Sequence, residues 1–184
     1  MQDTSQVGRV FVFNGAPSGL NTTYVTSMFG EGHEDLFGYT IRTQMDINGD
    51  TFDDIVVGAP QHDSNGSNAG RLYVYFGSAN GFGETYDQVV DGPEEEARFG
   101  ETIEWAGDVN GDGYADMVVG NRYNDTTDTD MGAAHLLYGS STGFDISSMV
   151  TWLGVPTIYS ASSAFNYDYF GYDVAGIGDV NGDS

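Results

Sequence analysis

Short apolar runs separated by Gly, Asn and Asp predict β-strands along the whole chain. Residues 39–43 alternate between apolar and polar side chains, whereas 54–57 and 116–119 are continuous apolar runs after an aspartate, typical of a strand buried on both faces. β-Branched and aromatic runs predict a third strand at 10–13, 72–76 and 134–138, and weaker runs predict a fourth at 22–28, 86–90 and 149–153. No window of about eleven residues keeps a helical period, so we expect no helix.

One spacing occurs three times: a Phe-Gly pair is followed, nine residues after the Phe, by Asp-x-Asn-Gly-Asp. The pairs are Phe37-Gly38, Phe99-Gly100 and Phe170-Gly171. The first interval is 62 residues and the second is 71, and the additional residues fall in a Tyr- and Ser-rich loop at 154–169. Four strands in a repeat of 62 residues predict an all-β fold of β-propeller blades, each with four antiparallel strands.

Glycines extend the register to the N-terminal part. Gly58, Gly70 and Gly77 recur 62 residues later as Gly120, Gly132 and Gly139, and Gly8 and Gly15 repeat the last step of seven residues. The register divides the chain into 1–36, the outer strands of a split blade; 37–98, a complete blade; 99–169, a complete blade with a long insertion; and 170–184, the first strand and partial acidic loop of a further blade.

About three blades make an incomplete or split ring, because propellers usually have about four to eight. An isolated arc would leave unpaired strand edges, which invite aggregation. We therefore expect this chain to be part of a longer chain that supplies the remaining blades, or to close its ring as a homo-oligomer.

The composition fits a folded domain whose natural partners are cations. Hydrophobic residues make up 39% and aromatic residues 14%, enough for a packed core, and no apolar stretch is long enough to span a membrane. Five basic residues against 28 acidic ones give a net charge of -23, which argues against nucleic acid or anionic membranes as partners. The chain has no cysteine, so it has neither disulfides nor thiolate metal sites.

Each acidic loop supplies only oxygen ligands. Positions 1, 3, 5 and 9 carry side-chain oxygens, and position 7 contributes its backbone carbonyl. The predicted ligands are Asp46, Asn48, Asp50, Phe52 and Asp54 in the first loop, Asp108, Asn110, Asp112, Tyr114 and Asp116 in the second, and Asp179, Asn181 and Asp183 in the third. A flexible, carboxylate-rich loop suits Ca²⁺ better than Mg²⁺, zinc or copper. The predicted cofactor is therefore Ca²⁺.

Two other interpretations of these loops are an EF-hand-like site and a simple hairpin turn. An EF-hand-like loop needs a bidentate acid at position 12, where this chain has Val57 and Val119. Asn-Gly-Asp also forms simple hairpin turns. Three copies at one register, with further acids at fixed offsets, favour metal loops over turns alone.

These residues resemble the FG-GAP repeats of integrin alpha-chain propellers and their bacterial relatives. The Phe-Gly pairs, Gly58-Ala59-Pro60 and the acidic loops carry the resemblance, although the second repeat replaces Gly-Ala-Pro by Gly120-Asn121-Arg122. The family pattern Asp-x-Asp-x-Asp-Gly-x-x-Asp is matched at 46–54 and 108–116 with Asn at the middle position, except that 46–54 has Thr51 where the pattern has Gly, and the third copy lacks its last acid. The resemblance implies a calcium-binding FG-GAP β-propeller, located extracellularly or at the cell surface.

Our first functional hypothesis is a non-catalytic adhesion or ligand-binding scaffold. A protein or glycan partner would dock on the face opposite the metal loops, built from 61–69, 121–131 and 154–169. In this face, the acids at 125, 128 and 130 are interpreted as a solvated loop or a further cation site. The aromatic residues at 159, 165, 167 and 169 are expected either to stack on sugar rings or to pack on their own blade.

The alternative hypotheses are a self-assembling filament or coat protein, and a non-catalytic module of a glycan-active enzyme. Against catalysis, His33, His62 and His135 lie at unrelated points of the repeat, without a nucleophile-base pairing. His135 lies in a predicted third strand and is expected to be a packed residue. The run 94–96 of three glutamates is interpreted as a charged loop before the next blade.

Overall fold

The computed structural model describes residues 7–126, 130–154 and 169–176. These residues form β-strands and no helix. The strands are β1 Arg9–Val12, β2 Gly15–Ala16, β3 Gly19–Leu20, β4 Thr26–Phe29, β5 Thr40–Met45, β6 Asp54–Ala59, β7 Arg71–Tyr75, β8 Gln88–Asp91, β9 Thr102–Gly107, β10 Asp116–Asn121, β11 Ala133–Tyr138 and β12 Asp145–Leu153.

Two four-stranded antiparallel sheets have their strands in chain order, β5-β6-β7-β8 and β9-β10-β11-β12. Their registers repeat, since Val56 pairs with Val74 in the first sheet and Val118 pairs with Leu136 in the second. β1 pairs with β4, with Val10 opposite Met28, and β2 forms a small hairpin with β3. The all-β prediction of four-stranded blades is confirmed.

The strand boundaries follow the sequence prediction to within a few residues at most ends. The predicted first strand at 39–43 is observed at Thr40–Met45, and the fourth strand predicted at 149–153 begins earlier, at Asp145. The strand predicted at 22–28 is shorter, Thr26–Phe29. The two-residue strands β2 and β3 were not predicted, because two residues are too few to show a period.

The central strands are buried on both faces, as their apolar runs predict. Along β6, Val56 packs in one core cluster with Val74 and Phe99, toward the second sheet. Val57 packs in another cluster with Val10 of β1 and Tyr73. Burial of each such side chain contributes about 1.5 to 3 kcal/mol, so the stacking of three sheets supplies the main stabilisation.

Successive repeats meet through glycines and the Phe-Gly pair. Phe99 is fully buried, and its N–H donates to the carbonyl of Ala69 at 3.0 Å. Gly70 has φ 88°, and a Cβ there would collide with the backbone of Phe99. The same contact joins Gly8 to Phe37 and Gly132 to Phe170. The Phe-Gly pair of each repeat therefore fits against a glycine of the preceding one.

Candidate metal loops and the opposite face

The loop between β5 and β6 is organised by the side chain of Asp46. Its Oδ1 accepts hydrogen bonds from the N–H of Gly49 at 2.7 Å and of Asp50 at 3.0 Å, and its Oδ2 accepts from Thr51 at 2.8 Å. Gly49 has φ 76°, a conformation that costs glycine little. The carboxylate therefore lies inside the turn that the chain makes around it.

Asn48 and Asp50 complete the first loop. The Asn48 Nδ2 donates to Asp50 Oδ2 at 3.0 Å, and its Oδ1 accepts from the Asp50 N–H at 3.0 Å. The Asp50 Oδ1 accepts from the N–H of Phe52 at 2.9 Å. The side chains at positions 1, 3 and 5 are thus gathered on one side of the turn.

The loop between β9 and β10 repeats this arrangement bond for bond. Asp108 Oδ1 accepts from Gly111 at 2.8 Å and from Asp112 at 3.1 Å, and its Oδ2 accepts from Gly113 at 2.8 Å. The Asn110 Nδ2 donates to Asp112 Oδ2 at 2.9 Å, and Asp112 Oδ1 accepts from the N–H of Tyr114 at 3.0 Å. Two independent stretches of sequence therefore fold into one local structure.

The aspartate at position 9 is buried and bridges two loops. Asp54 Oδ2 accepts from the N–H of Ile47 at 2.8 Å, and Oδ1 accepts from the N–H of Gly77 at 2.9 Å. Asp116 makes the same bonds with Val109 and Gly139, at 2.8 and 2.9 Å. Each carboxylate thereby ties its acidic loop to the turn that follows the third strand.

Burial makes the charge of these two aspartates costly. The pKa of Asp54 is raised to about 6, mainly by desolvation; the hydrogen bonds from Gly77 and Ile47 oppose the rise, and the nearby negative charges of Asp50 and Asp46 add to it. Desolvation likewise raises the pKa of Asp116, with Asp112 and Asp108 contributing. A positive charge close to either aspartate would reverse this effect.

Backbone contacts connect the two acidic loops. The N–H of Ala115, in the second loop, donates to the carbonyl of Asp46 in the first at 3.0 Å. The ring of Tyr114 also lies over Gly49, so closely that a Cβ there would be 2.7 Å from Cε1. The loops therefore form one continuous edge of the molecule.

The described residues contain no group of three or more histidine or acidic side chains arranged to hold a metal ion. The local reason is that the carboxylate oxygens of both loops are turned onto backbone N–H groups of the loops themselves. The donor set nevertheless fits a hard cation, because it consists of carboxylate and amide oxygens. None of the three acids in either loop forms an ion pair with a described arginine or histidine.

The predicted residues of the third loop, Asp179, Asn181 and Asp183, lie outside the described residues. Most of the insertion at 154–169 lies outside them as well, including the aromatic residues at 159, 165 and 167. Tyr169 is described, and its ring packs edge-on against Tyr123 with centroids 5.7 Å apart. Of the three acids at 125, 128 and 130, Asp128 is not described, and Asp125 Oδ1 accepts from the N–H of Asp130 at 2.6 Å.

The face opposite the metal loops carries polar groups that the sequence did not mark as functional. Glu94 is half-buried, unlike the exposed Glu95 and Glu96, and it accepts hydrogen bonds from Asn124 and from Thr126 Oγ1, the latter at 3.2 Å. His135 is a packed residue, as predicted, with only 1% of its surface exposed. Glu94 differs from the other two glutamates of the acidic run only in being half-buried, and the sequence alone does not reveal this difference in burial.

The amides of Gly77 and Gly139 were also missed as partners of the buried aspartates. Their spacing after Gly70 and Gly132 was visible as part of the repeat. The sequence does not show why a glycine is needed at this position. In the structure, a Cβ at Gly77 would collide with the backbone carbonyl of Asp53. The glycine keeps the third-strand turn close enough for its N–H to reach Asp54.

Four-stranded antiparallel sheets stacked by a repeated Phe-Gly contact, with an acidic loop after each first strand, define a repeat protein of the β-propeller type. The FG-GAP repeat family profile matches residues 37–75 and 99–137. The chain therefore carries FG-GAP repeats, and it is a distant homologue of integrin alpha chains over most of its length.

Three relatives show the extent of this similarity. Integrin alpha-6 of Homo sapiens is 31% identical over 156 residues, which are 84% of this chain and 12% of that protein. Integrin alpha-PS2 of Drosophila melanogaster is 31% identical over 144 residues, covering 74% and 10%. Integrin alpha-8 of Mus musculus is 38% identical over 103 residues, covering 53% and 10%. The chain thus spans about one eighth or less of these relatives.

The residues that the structure describes include no helix that could span a membrane.

Proposed function

We propose that this chain is a calcium-stabilised segment of an extracellular β-propeller that acts as a ligand-binding or adhesion scaffold and not as an enzyme. The observation that carries the proposal is the pair of acidic loops with the same hydrogen bonds, each holding three carboxylates that have no basic partner among the described residues. The homology to integrin alpha chains supports an extracellular location and an adhesive role.

In this proposal each loop binds one Ca²⁺ ion. The ligands are Asp46, Asn48, Asp50, the carbonyl of Phe52 and Asp54 in the first loop, and the corresponding residues 108, 110, 112, 114 and 116 in the second. The ion neutralises carboxylates that otherwise repel one another, by on the order of 4 kcal/mol for each pair at about 4 Å and an effective dielectric near 20. The protein itself fixes the position of the loop, because the hydrogen bond from the Gly77 N–H to the Asp54 carboxylate holds the loop against the turn that follows β7.

We also propose that the chain is divided into blades at 36/37, 98/99 and 169/170, and that further blades complete the ring. The repeated contact between a Phe-Gly pair and the glycine of the preceding repeat supports this division. Partners of such an arc are further blades of a longer chain or a second copy.

The test is the melting midpoint of the protein with Ca²⁺ and with a chelator. At free Ca²⁺ a hundredfold above its Kd, each occupied loop adds about 2.7 kcal/mol to the free energy of unfolding. We expect Asp50→Asn to remove the increment of one loop, and the double variant D50N/D112N to remove both. An unchanged midpoint in the parent protein would contradict calcium binding.

The matched control is Asp53→Asn. Asp53 is exposed and lies next to Asp54, so this change removes the same charge without removing a predicted ligand. The calcium increment should survive it. Loss of the increment in D53N would point to general charge screening instead of a site.

One observation favours assembly as a second candidate function. β7 pairs with β6 and with β8, whereas β1, which has the same place in the register, pairs only with β4 among the described residues. A strand edge of this kind can accept a strand from another copy or from further residues of a longer chain. Sedimentation over a wide concentration range tests this function, and a concentration-independent monomer would argue against it.

A further inference from the structure

Asn-Gly pairs recur along the chain, and the structure holds them in different ways. Within the described residues they lie at 14–15, 48–49, 65–66, 80–81 and 110–111. Asparagine is one of the thermolabile residues of proteins. In an Asn-Gly pair the backbone nitrogen of the glycine can attack the side-chain amide carbon, because glycine has no Cβ to hinder this close approach. The reaction of each pair therefore depends on how firmly the fold holds these two groups.

The reaction needs water and no other reagent. The glycine nitrogen loses its proton and forms a bond to the asparagine Cγ, while the Cγ–Nδ2 bond breaks and the amide nitrogen leaves as ammonia with that proton. Water then opens the resulting cyclic imide at either of its two carbonyl carbons. The products are aspartate and isoaspartate, and each adds one negative charge to the chain.

In the first acidic loop both reacting groups are held. The N–H of Gly49 donates to Asp46 Oδ1 at 2.7 Å, so the attacking nitrogen is engaged. The side-chain amide of Asn48 is bonded at both ends, because its Nδ2 donates to Asp50 Oδ2 and its Oδ1 accepts from the Asp50 N–H, each at 3.0 Å. The two carboxylates also disfavour removal of the proton from the Gly49 nitrogen, since they destabilise a further negative charge nearby. The loop must therefore open before Asn48 can react.

The second acidic loop restrains Asn110 in the same way. The N–H of Gly111 donates to Asp108 Oδ1 at 2.8 Å. Asn110 Nδ2 donates to Asp112 Oδ2 at 2.9 Å, and Asn110 Oδ1 accepts from the Asp112 N–H at 3.1 Å. The same three hydrogen bonds thus hold the asparagines of both described acidic loops.

Asn14 has none of these restraints. Its side chain is exposed and makes no hydrogen bond within the described part of the chain. Its carbonyl accepts from the N–H of Asn21 at 3.0 Å, so these two residues form a hydrogen-bonded pair of the β2–β3 hairpin. Hydrogen-bonded and non-hydrogen-bonded pairs alternate along an antiparallel ladder, so Gly15, opposite Leu20, directs its N–H away from β3. A Cβ at Gly15 would meet nothing within 4 Å, so no neighbouring atom confines the glycine.

The two remaining pairs are intermediate cases. In the pair 65–66 the asparagine is held, because Asn65 Nδ2 donates to the carbonyl of Gly92 at 2.8 Å. In the pair 80–81 the glycine is held, because its N–H donates to the carbonyl of Ser78 at 2.9 Å. The Asn80 side chain is exposed and makes no hydrogen bond to any residue that the structure describes. Each of these pairs thus has part of the restraint found in the acidic loops.

We propose that Asn14 is the deamidation site of the folded protein, and that the hydrogen bonds of the acidic loops protect Asn48 and Asn110 from the same reaction. The inference goes beyond the proposed binding function and does not depend on it, because every bond that it uses joins protein atoms. Modification of the folded chain thus adds charge at an outer hairpin and leaves the amide oxygens of both loops intact.

The test is incubation of the protein in H₂¹⁸O buffer at mildly alkaline pH, with a chelator present throughout, followed by peptide mapping by mass spectrometry. Chymotrypsin cleaves after the many aromatic residues and places the three asparagines in separate peptides, and incorporated ¹⁸O marks the carboxylates formed during the incubation. We expect Asn14 to react at least about tenfold faster than Asn48 or Asn110, because more than one hydrogen bond must break in the loops and each slows the reaction by about fivefold. In urea, where these bonds are absent, the three rates should converge.

Two variants test the cause. Gly15→Ala places a methyl group on the attacking residue, where the structure has room for it, and should make Asn14 slower than Asn80. Asp50→Ala removes the carboxylate that accepts from Asn48 Nδ2 and should speed the reaction of Asn48 by about fivefold. Asn110 lies in the same molecule and is the matched control, so its rate should not change.

The proposal is overturned if Asn48 or Asn110 reacts as fast as Asn14 in the folded parent protein. It is equally overturned if G15A leaves the rate of Asn14 unchanged, or if D50A leaves that of Asn48 unchanged. Faster reaction of Asn110 in D50A would show that this variant has lost its fold, and the comparison within the parent protein then decides. Failure of the calcium proposal shows in the melting midpoint with Ca²⁺, not in these rates, which are measured with chelator.

Discussion

At the scale of single residues, the two acidic loops differ in the strain of one backbone position. Thr51 has φ 75°, where the second loop has Gly113 with φ 90°. A β-branched residue in this region of φ is strained, whereas glycine adopts it readily. Both N–H groups donate to the first aspartate of their loop, so the strain does not arise from a different hydrogen bond.

We expect Thr51→Gly to raise the free energy of unfolding by about 1 kcal/mol, the relief of strain less the entropy that glycine loses on folding. The reciprocal change, Gly113→Thr, should lower it by a similar amount. Urea denaturation of both variants measures the effect. Destabilisation by T51G would show that the threonine side chain contributes more than its backbone costs.

The buried His135 predicts a pH dependence of stability. The pKa of His135 is lowered to about 4 in the folded protein, against about 6.5 in an unfolded chain. Between these values the unfolded chain binds a proton that the folded protein excludes. The free energy of unfolding therefore falls as the pH falls from about 6.5 to about 4, by at most about 1.4 kcal/mol per pH unit from this group.

Comparison with the variant His135→Tyr (H135Y) isolates the contribution of His135 to the pH dependence of stability. Burial raises the pKa of Glu94, which lines the same cavity as His135. Glu94 therefore affects the pH dependence of stability with the opposite sign, and it does so equally in both proteins. We expect the parent protein to lose more stability than H135Y between pH 6.5 and pH 4, measured by urea denaturation at each pH. Parallel pH profiles would mean that His135 is protonated in the folded state.

At the scale of strands and loops, the contact between repeats depends on one glycine. Gly70 and Gly81 both have φ 88°, but a Cβ at Gly70 would meet the backbone of Phe99 while one at Gly81 meets nothing within 4 Å. The two positions therefore share the cost of a left-handed backbone and differ only in their surroundings. Gly81 is a matched control for Gly70.

We expect Gly70→Ala to lower the free energy of unfolding by about 3 kcal/mol more than Gly81→Ala. The shared conformational cost cancels between the variants, and the remainder is the displacement of Phe99 from its core position. Thermal unfolding of both variants measures the difference. Equal losses would mean that the repeats can separate slightly at this contact without cost.

The sequence predicted those parts of the elements that local spacing controls. The strand order and the positions of Asp46, Asn48 and Asp50 follow from identical offsets in two repeats. The bond from Gly77 to Asp54 did not follow, because it joins residues 23 apart whose approach depends on the packing of β6 against β7. The cavity lined by Glu94, Asn124 and His135 was equally hidden, since it depends on the sizes of side chains from two strands of the second sheet and from the loops before and within that sheet.

At the scale of the whole molecule, charge opposes compaction. The chain has 28 acidic and 5 basic residues, and the observed ion pairs engage few of the acids. Like charges on a folded surface repel more strongly than in the expanded unfolded chain. Screening by salt should therefore stabilise the fold even without specific binding.

We expect the melting midpoint to rise as NaCl is increased from about 0.01 M to about 1 M, because the Debye length falls from about 30 Å to about 3 Å. The rise should be of similar size in D50N/D112N, in which specific calcium sites are removed. Calorimetry at fixed pH with chelator present measures both. A midpoint that falls with salt would show that attractive ion pairs outweigh the net repulsion.

The contact between repeats joins two unlike surfaces, a glycine on one repeat and the phenylalanine of the Phe-Gly pair on the next. Such a heterologous contact has a front and a back, so units can add only head to tail and always in the same rotational sense. Two arcs of this kind cannot meet front to front through this contact. Any larger assembly that uses it therefore has a defined direction, and its handedness is set by the placement of one glycine and one phenylalanine in each repeat.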